Sequence, residues 1–141
     1  MVGKSKPANK AGKWRMSLIK EQAWCVPCIL NFTPNRSATE VHHPVSGNKR
    51  TGKTMGLCGW HHRGINEGAM FRQDMQKMFG ASLAHGSREF VRVWGSEDVL
   101  VQLQNQLIDI WVETGGWDQY NLPRDVKYEI RKQWQTLQGL R

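Results

Sequence analysis

Acidic residues are almost missing from the first 63 positions, where only Glu21 and Glu40 oppose eleven Lys and Arg. The remainder is nearly balanced, so the chain's excess of 20 Lys plus Arg over 12 Asp plus Glu sits at one end. That asymmetry points to a polyanion partner held by the N-terminal half, the bland alternative being a solubilising basic face. No apolar run approaches the ~18 residues a membrane span requires. The basic N-terminus lacks the apolar stretch of a secretory signal, and a cytoplasmic protein is expected. Cysteine is scarce and odd in number, three in 141 residues. Without an export signal, Cys25-x-x-Cys28 reads as metal ligation rather than a disulfide. There is no internal repeat, and the alternating strand and helix runs of a parallel sheet are lacking too.

What is present reads as a mostly helical α+β chain. Residues 1–12 are rich in Lys, Gly, Pro and Ser and are expected to form a disordered basic arm. "KWRMSLIKEQAW" suits a short helix with Trp14, Leu18 and Ile19 on one side. Pro27, Pro34 and an Asn-Arg-Ser run break up the next stretch. Thr39–His43 reads as a short strand. After a brief extended piece, a helix starts near Gly59 and ends at Gly64 or Gly68. Met70, Phe71, Met75, Met78 and Phe79 recur at helical spacing, as a core stripe does. Ser96 caps a long helix whose buried stripe is Val99, Leu100, Leu103, Leu107, Ile110 and Trp111. A last helix starts at Pro123, with Val126, Ile130, Trp134 and Leu137 inward.

"GNKRTGKT", Gly47 to Thr54, fits the spacing of a nucleotide phosphate loop. Such a loop needs a buried strand before it and a long helix after it. Here "EVHH" precedes it, "MGLCG" follows, and no downstream apolar run ends in Asp. A flexible turn offering Lys49, Arg50 and Lys53 to nucleic-acid phosphates is the better reading. A plain solvated loop is the alternative.

Cys25 and Cys28 form C-x2-C, and Cys58 and His61 form C-x2-H further along. Three thiolates and an imidazole in two tight clamps suit a tetrahedral Zn²⁺ that staples a small core. Two histidine pairs stand beside this set, His42-His43 and His61-His62. Adjacent strand residues point to opposite faces. One member of the first pair can therefore hold an ion while the other acts beside it. A metal-assisted hydrolase needs that division between ligand and general base.

"EVHHPV" and "GLCGWHHRG" resemble the HNH endonuclease motif, a ββα-metal core. The chain is similar in particular to phage Ref-type recombination-enhancement, RecA-dependent nucleases and their prophage relatives. The likeness extends to "AHGSREFVRVWG" and covers roughly residues 24–105. It implies a small zinc-stapled ββα-metal core within residues 13–113 and a helical extension over 114–141. His43 resembles the general base, and His42 and His62 the ligands of a catalytic ion. Asn66 or His85 competes for third ligand, and Asn48 is a weak match for the middle Asn of the motif. The family implies Mg²⁺ or Mn²⁺, although all-imidazole ligation also suits Zn²⁺, Co²⁺ or Ni²⁺. It further implies DNA phosphodiester hydrolysis to 5′-phosphate and 3′-hydroxyl ends, in a bacterial host and beside a RecA-type recombinase filament. Lys49, Arg50, Lys53, Arg63 and Arg88 are the expected DNA contacts. The rival expectation is a non-catalytic zinc module that binds DNA or protein.

Overall fold

A computed structural model describes residues 10–34, 38–44, 53–117 and 121–139. Helix α1 (Lys10–Glu21) leads into the short α2 (Val26–Leu30). Strands β1 (Thr39–His42) and β2 (Met55–Cys58) form an antiparallel hairpin, with Thr39 opposite Cys58 and His42 opposite Met55. Helix α3 (Gly59–Arg63) follows β2 directly. Then come α4 (Arg72–Phe79), a 3₁₀ turn (Leu83–His85), α5 (Ser87–Trp94), α6 (Glu97–Thr114) and α7 (Arg124–Gly139). This is an α+β architecture, mostly helical, around a two-stranded sheet. Among the described residues no helix is long and apolar enough to cross a membrane.

The hairpin sits inside the helices rather than on them. All four residues of β2 are buried. Gly56 is the reason α1 and Trp24 can close on it. A Cβ there would lie 1.8 Å from the Trp24 carbonyl oxygen and 2.8 Å from Ile19 Cγ2. Its N–H donates to Gln104 Oε1 at 3.0 Å, so a helix side chain satisfies the buried backbone of the strand. One apolar cluster joins Leu18, Ile19, Trp24, Met55, Leu57, Phe90, Leu100, Leu103, Leu107 and Ile130. Helix α7 belongs to that cluster. It is pinned by Arg131 donating to the Leu30 carbonyl and Trp134 Nε1 donating to the Trp94 carbonyl at 2.6 Å.

Arg15 ties α1 to the mouth of the hairpin. It donates to the Thr54 carbonyl (2.6 Å), to Thr54 Oγ1 (3.2 Å) and to Asn105 Oδ1 (2.6 Å). Burial lowers its pKa to about 10 while Asp109 pulls it up, so the guanidinium stays charged at neutral pH. Arg15 on the inner face turns Trp14 outward. Trp14 is 50% exposed, not packed with Leu18 and Ile19 as the periodicity suggested. Helix α1 begins at Lys10, inside the expected basic arm, whose residues 1–9 lie outside the described ones.

The Met/Phe stripe also divides. Met75 and Phe79 are buried and Met70 is half-buried, but Phe71 and Met78 face solvent. Helix α4 covers the cysteine cluster with one narrow i, i+4 edge, so only two of the five positions turn fully inward.

Candidate metal centre and histidine pair

Two non-glycine residues with positive φ, Ala23 and Phe32, bracket α2. The segment between them presents Cys25 and Cys28 to the end of β2. There Cys58 closes the strand and His61 follows one helical turn later. All four residues are buried, with their ligand atoms within 4.8 Å of one another. Cys28 Sγ lies 3.8 Å from Cys58 Sγ. His61 Nδ1 lies 3.4, 3.5 and 3.2 Å from the sulfurs of Cys25, Cys28 and Cys58. A tetrahedron with metal–sulfur bonds of ~2.3 Å and metal–nitrogen bonds of ~2.0 Å has S···S edges of ~3.8 Å and S···N edges of ~3.5 Å. The donor set therefore fits an ion such as Zn²⁺.

The surroundings complete that fit. His61 Nε2 donates to the Phe79 carbonyl at 2.7 Å, which fixes the tautomer and turns the Nδ1 lone pair on the sulfurs. Trp60 Nε1 donates to the Gly80 carbonyl (2.9 Å) and Ser82 Oγ to the Trp60 carbonyl, stitching α3 to residues 79–82. Burial drives the Cys25 thiol well above its ordinary range, and hydrogen bonds to Cys28 and Cys58 push the same way. Hydrogen bonds to Cys25 and Cys28 hold Cys58 far below it. Three crowded sulfurs cannot share negative charge evenly unless a cation is among them.

A second cluster occupies another face of α3. An α-helix turns ~100° per residue, so His62 leaves the axis in a different direction from His61. On β1, Glu40 and His42 share a face by alternation. The three meet. His42 Nδ1 is 3.4 Å from His62 Nε2, and the rings stand edge to face. His62 Nδ1 is 2.9 Å from Glu40 Oε1. Arg63 grips the same carboxylate through Nε (3.0 Å) and Nη2 (2.7 Å). Beyond His42, its Nε2 faces Glu97 Oε1 at 3.7 Å. Burial holds His42 below the ordinary imidazole range against the pull of Glu97, and His62 adds to the lowering. Burial would raise the Glu40 carboxyl, but its bonds to Arg63 and His62 bring it below its usual value. Glu40 also walls a surface groove of about 570 Å³ with Met16, Lys20, Ala38, Thr39 and Val41.

The remaining expected residues fall as follows. His43 is exposed just past the end of β1. Helix α3 stops at Gly64, whose left-handed conformation (φ +70°) caps it, so Asn66 lies in an exposed loop rather than over His62. His85 packs edge-on against Trp60, and a Cβ at Gly64 would sit 2.9 Å from its Nε2. Trp60 and Gly64 share the side of α3 roughly opposite His62. The structure thus joins His42 to His62 and leaves Asn66 and His85 apart from the pair. Lys53 and Arg88 are exposed, and the Arg63 side chain is 61% exposed despite its ion pair. Lys49, Arg50 and Asn48 lie outside the described residues.

Sequence reasoning missed Glu40 and Glu97. Glu40 stands two residues before His42 on a strand, so alternation alone could have placed it beside that imidazole. For Glu97, which reaches the site from α6, there was no local signal.

A family model described as recombination enhancement, RecA-dependent nuclease, matches residues 8–109, which is most of the chain and includes every residue of both clusters. The chain belongs to that family. No curated protein and no solved structure matches it.

Proposed function

We propose that this RecA-dependent nuclease is an HNH-type, metal-dependent DNA endonuclease. The single observation that carries the reading is the 3.4 Å approach of His42 Nδ1 to His62 Nε2, with His43 exposed next to it just past the end of the same strand. His42 and His62 would hold a divalent ion, Mg²⁺ or Mn²⁺. Such an ion supplies positive charge for the scissile phosphate and the departing oxygen. Asn66 and His85 stay the candidates for a further ligand only if the loop after Gly64 or the 3₁₀ turn moves. The thiolate–imidazole cluster would carry Zn²⁺ as scaffold.

His43, neutral and accepting at one ring nitrogen, takes a proton from water. The hydroxide so formed attacks phosphorus in line. The bond from phosphorus to the 3′ oxygen breaks, the departing oxygen takes a proton from solvent, and 5′-phosphate and 3′-hydroxyl ends result. Lys49, Arg50 and Lys53, with Arg63 and Arg88, neutralise the DNA backbone. Binding of this kind is salt-sensitive and weakly sequence-specific. Selection of the cleavage site then falls to a RecA-type recombinase filament, in line with the family's description. A phage or prophage DNA-processing role in the bacterial cytoplasm follows from the same resemblance.

The test replaces His43 with Ala and measures nicking of plasmid and single-stranded DNA with Mg²⁺ and with Mn²⁺. The expected result is a loss of ~10²–10⁴-fold, the usual share of a general base. Full cleavage by a normally folded His43→Ala protein removes His43 from the mechanism.

A further inference from the structure

We infer that Glu40 and Glu97 are positioning residues that hold His62 and His42 in opposite tautomers, so that both inward ring nitrogens offer lone pairs to one cation. The inference rests on the nuclease reading above and goes on to name how its ion site is set.

Five groups lie in series: Arg63, Glu40, His62, His42 and Glu97. An ionised carboxylate only accepts hydrogen bonds. Glu40, 2.9 Å from His62 Nδ1, therefore keeps that ring's proton on Nδ1 and leaves Nε2 bare. At the other end, His42 Nε2 is shielded from solvent and finds no partner within hydrogen-bond distance among the described residues. Glu97 Oε1 stands 3.7 Å from it and draws the His42 proton to that side. His42 Nδ1 is then bare as well. Two bare nitrogens facing each other at 3.4 Å repel unless positive charge lies between them. Two nitrogens bonded to one ion at ~2.0–2.1 Å lie ~2.8–3.4 Å apart between an octahedral and a tetrahedral angle, so the observed gap is within reach of a shared cation. Ligating histidines backed by carboxylates are the general pattern of such sites, because the backing group fixes both tautomer and ring orientation.

Each carboxylate is itself fixed. Arg63 holds both oxygens of Glu40. Glu97 opens α6, where Ser96 Oγ accepts from Val99 N–H at 3.2 Å. The preceding Trp94 is anchored through Nε1 to the Ala81 carbonyl at 2.9 Å. The two backing groups thus come from different parts of the fold and converge only when α6 is docked.

The experiment uses the full chain loaded with Zn²⁺. Long-range ¹H–¹⁵N NMR reads the imidazole tautomers, and Mn²⁺ titration reads affinity. The wild-type protein should show His62 protonated on Nδ1 and His42 on Nε2. Glu97→Ala should move the His42 proton to Nδ1 and weaken Mn²⁺ binding ten- to hundredfold, with zinc content unchanged. Glu97→Met serves if the alanine variant does not fold, and Glu97→Gln, which keeps an acceptor, should preserve the tautomer. Glu40→Ala should act on His62 in the same way. A wild-type His42 already protonated on Nδ1 overturns the inference. So do tautomers and Mn²⁺ affinity left unmoved by Glu97→Ala and Glu40→Ala. The two readings fail separately. Cleavage that survives His43→Ala removes the mechanism but not the tautomers. Normal cleavage with unmoved tautomers in Glu97→Ala sinks only the positioning role.

Discussion

His61 donates its Nε2 proton to the carbonyl of Phe79, 2.7 Å away, and thereby aims its other nitrogen at three sulfurs. One hydrogen bond couples the end of α4 to the cysteine cluster, and the residues around it should respond together to loss of the ion.

Removal of the cluster's ion is the first prediction. Cys58→Ser should abolish stoichiometric zinc and lower the thermal midpoint by on the order of 10 °C or more, since structural zinc contributes several kcal/mol to small domains. Zinc loading should release protons, because the ion-free Cys25 thiol is held protonated by its burial. Metal analysis, a melting curve and a dilute pH-indicator titration check the three statements. A Cys58→Ser protein with full zinc and an unchanged melt contradicts them.

Gly56→Ala should be severely destabilising. The new methyl would meet backbone at 1.8 Å, which no rotamer change relieves. Overpacking in a core costs about 1–3 kcal/mol, and a backbone obstacle puts this case at or above the upper end. Gly139→Ala is the control, with nothing within 4 Å of the added carbon. Urea midpoints of the two variants should differ clearly, and equal midpoints would remove the close-approach argument.

Arg15→Met keeps most of the aliphatic stem and deletes the clamp on Thr54. Hydrogen bonds to a charged group are worth about 1.5–3 kcal/mol, and the loss should fall in that range. Amide exchange at Thr54 and Met55 should accelerate more than exchange in α7. Uniform acceleration would mean that Arg15 acts on global stability alone.

Ser96→Ala should cost about 1 kcal/mol through the lost cap on α6. Ser96→Asp should restore it, because Asp is an equally good cap and suits the positive helix end. Chemical denaturation of the three proteins tests the order. An alanine variant as stable as wild type would show that the 3.2 Å contact with Val99 N–H contributes nothing.

The thiol–imidazole set was legible because ligand spacing is a local property. Two clamps of fixed length announce themselves whatever lies between them. Gly64 and Ser96 were legible for the same reason, since helix ends are written in one or two residues. Trp14 was misread because α1 turns a cation inward. Arg15 serves Thr54 and Asn105, and a periodicity count that treats Arg as surface assigns the wrong face. Phe71 and Met78 were misread because α4 touches the core along one edge only. Glu97 was invisible because its meeting with His42 depends on how two elements dock, and no spacing encodes that.

His61 and His62 are neighbours in a helix of five residues, one turned to the thiols and the other to His42. Chelator inhibition of this enzyme should therefore have a history. On the proposed mechanism, a brief exposure that strips only an ion held by His42 and His62 should be reversed at once by adding Mg²⁺. A long one that also empties the cysteine cluster should loosen that helical turn, and Mg²⁺ alone should no longer bring activity back.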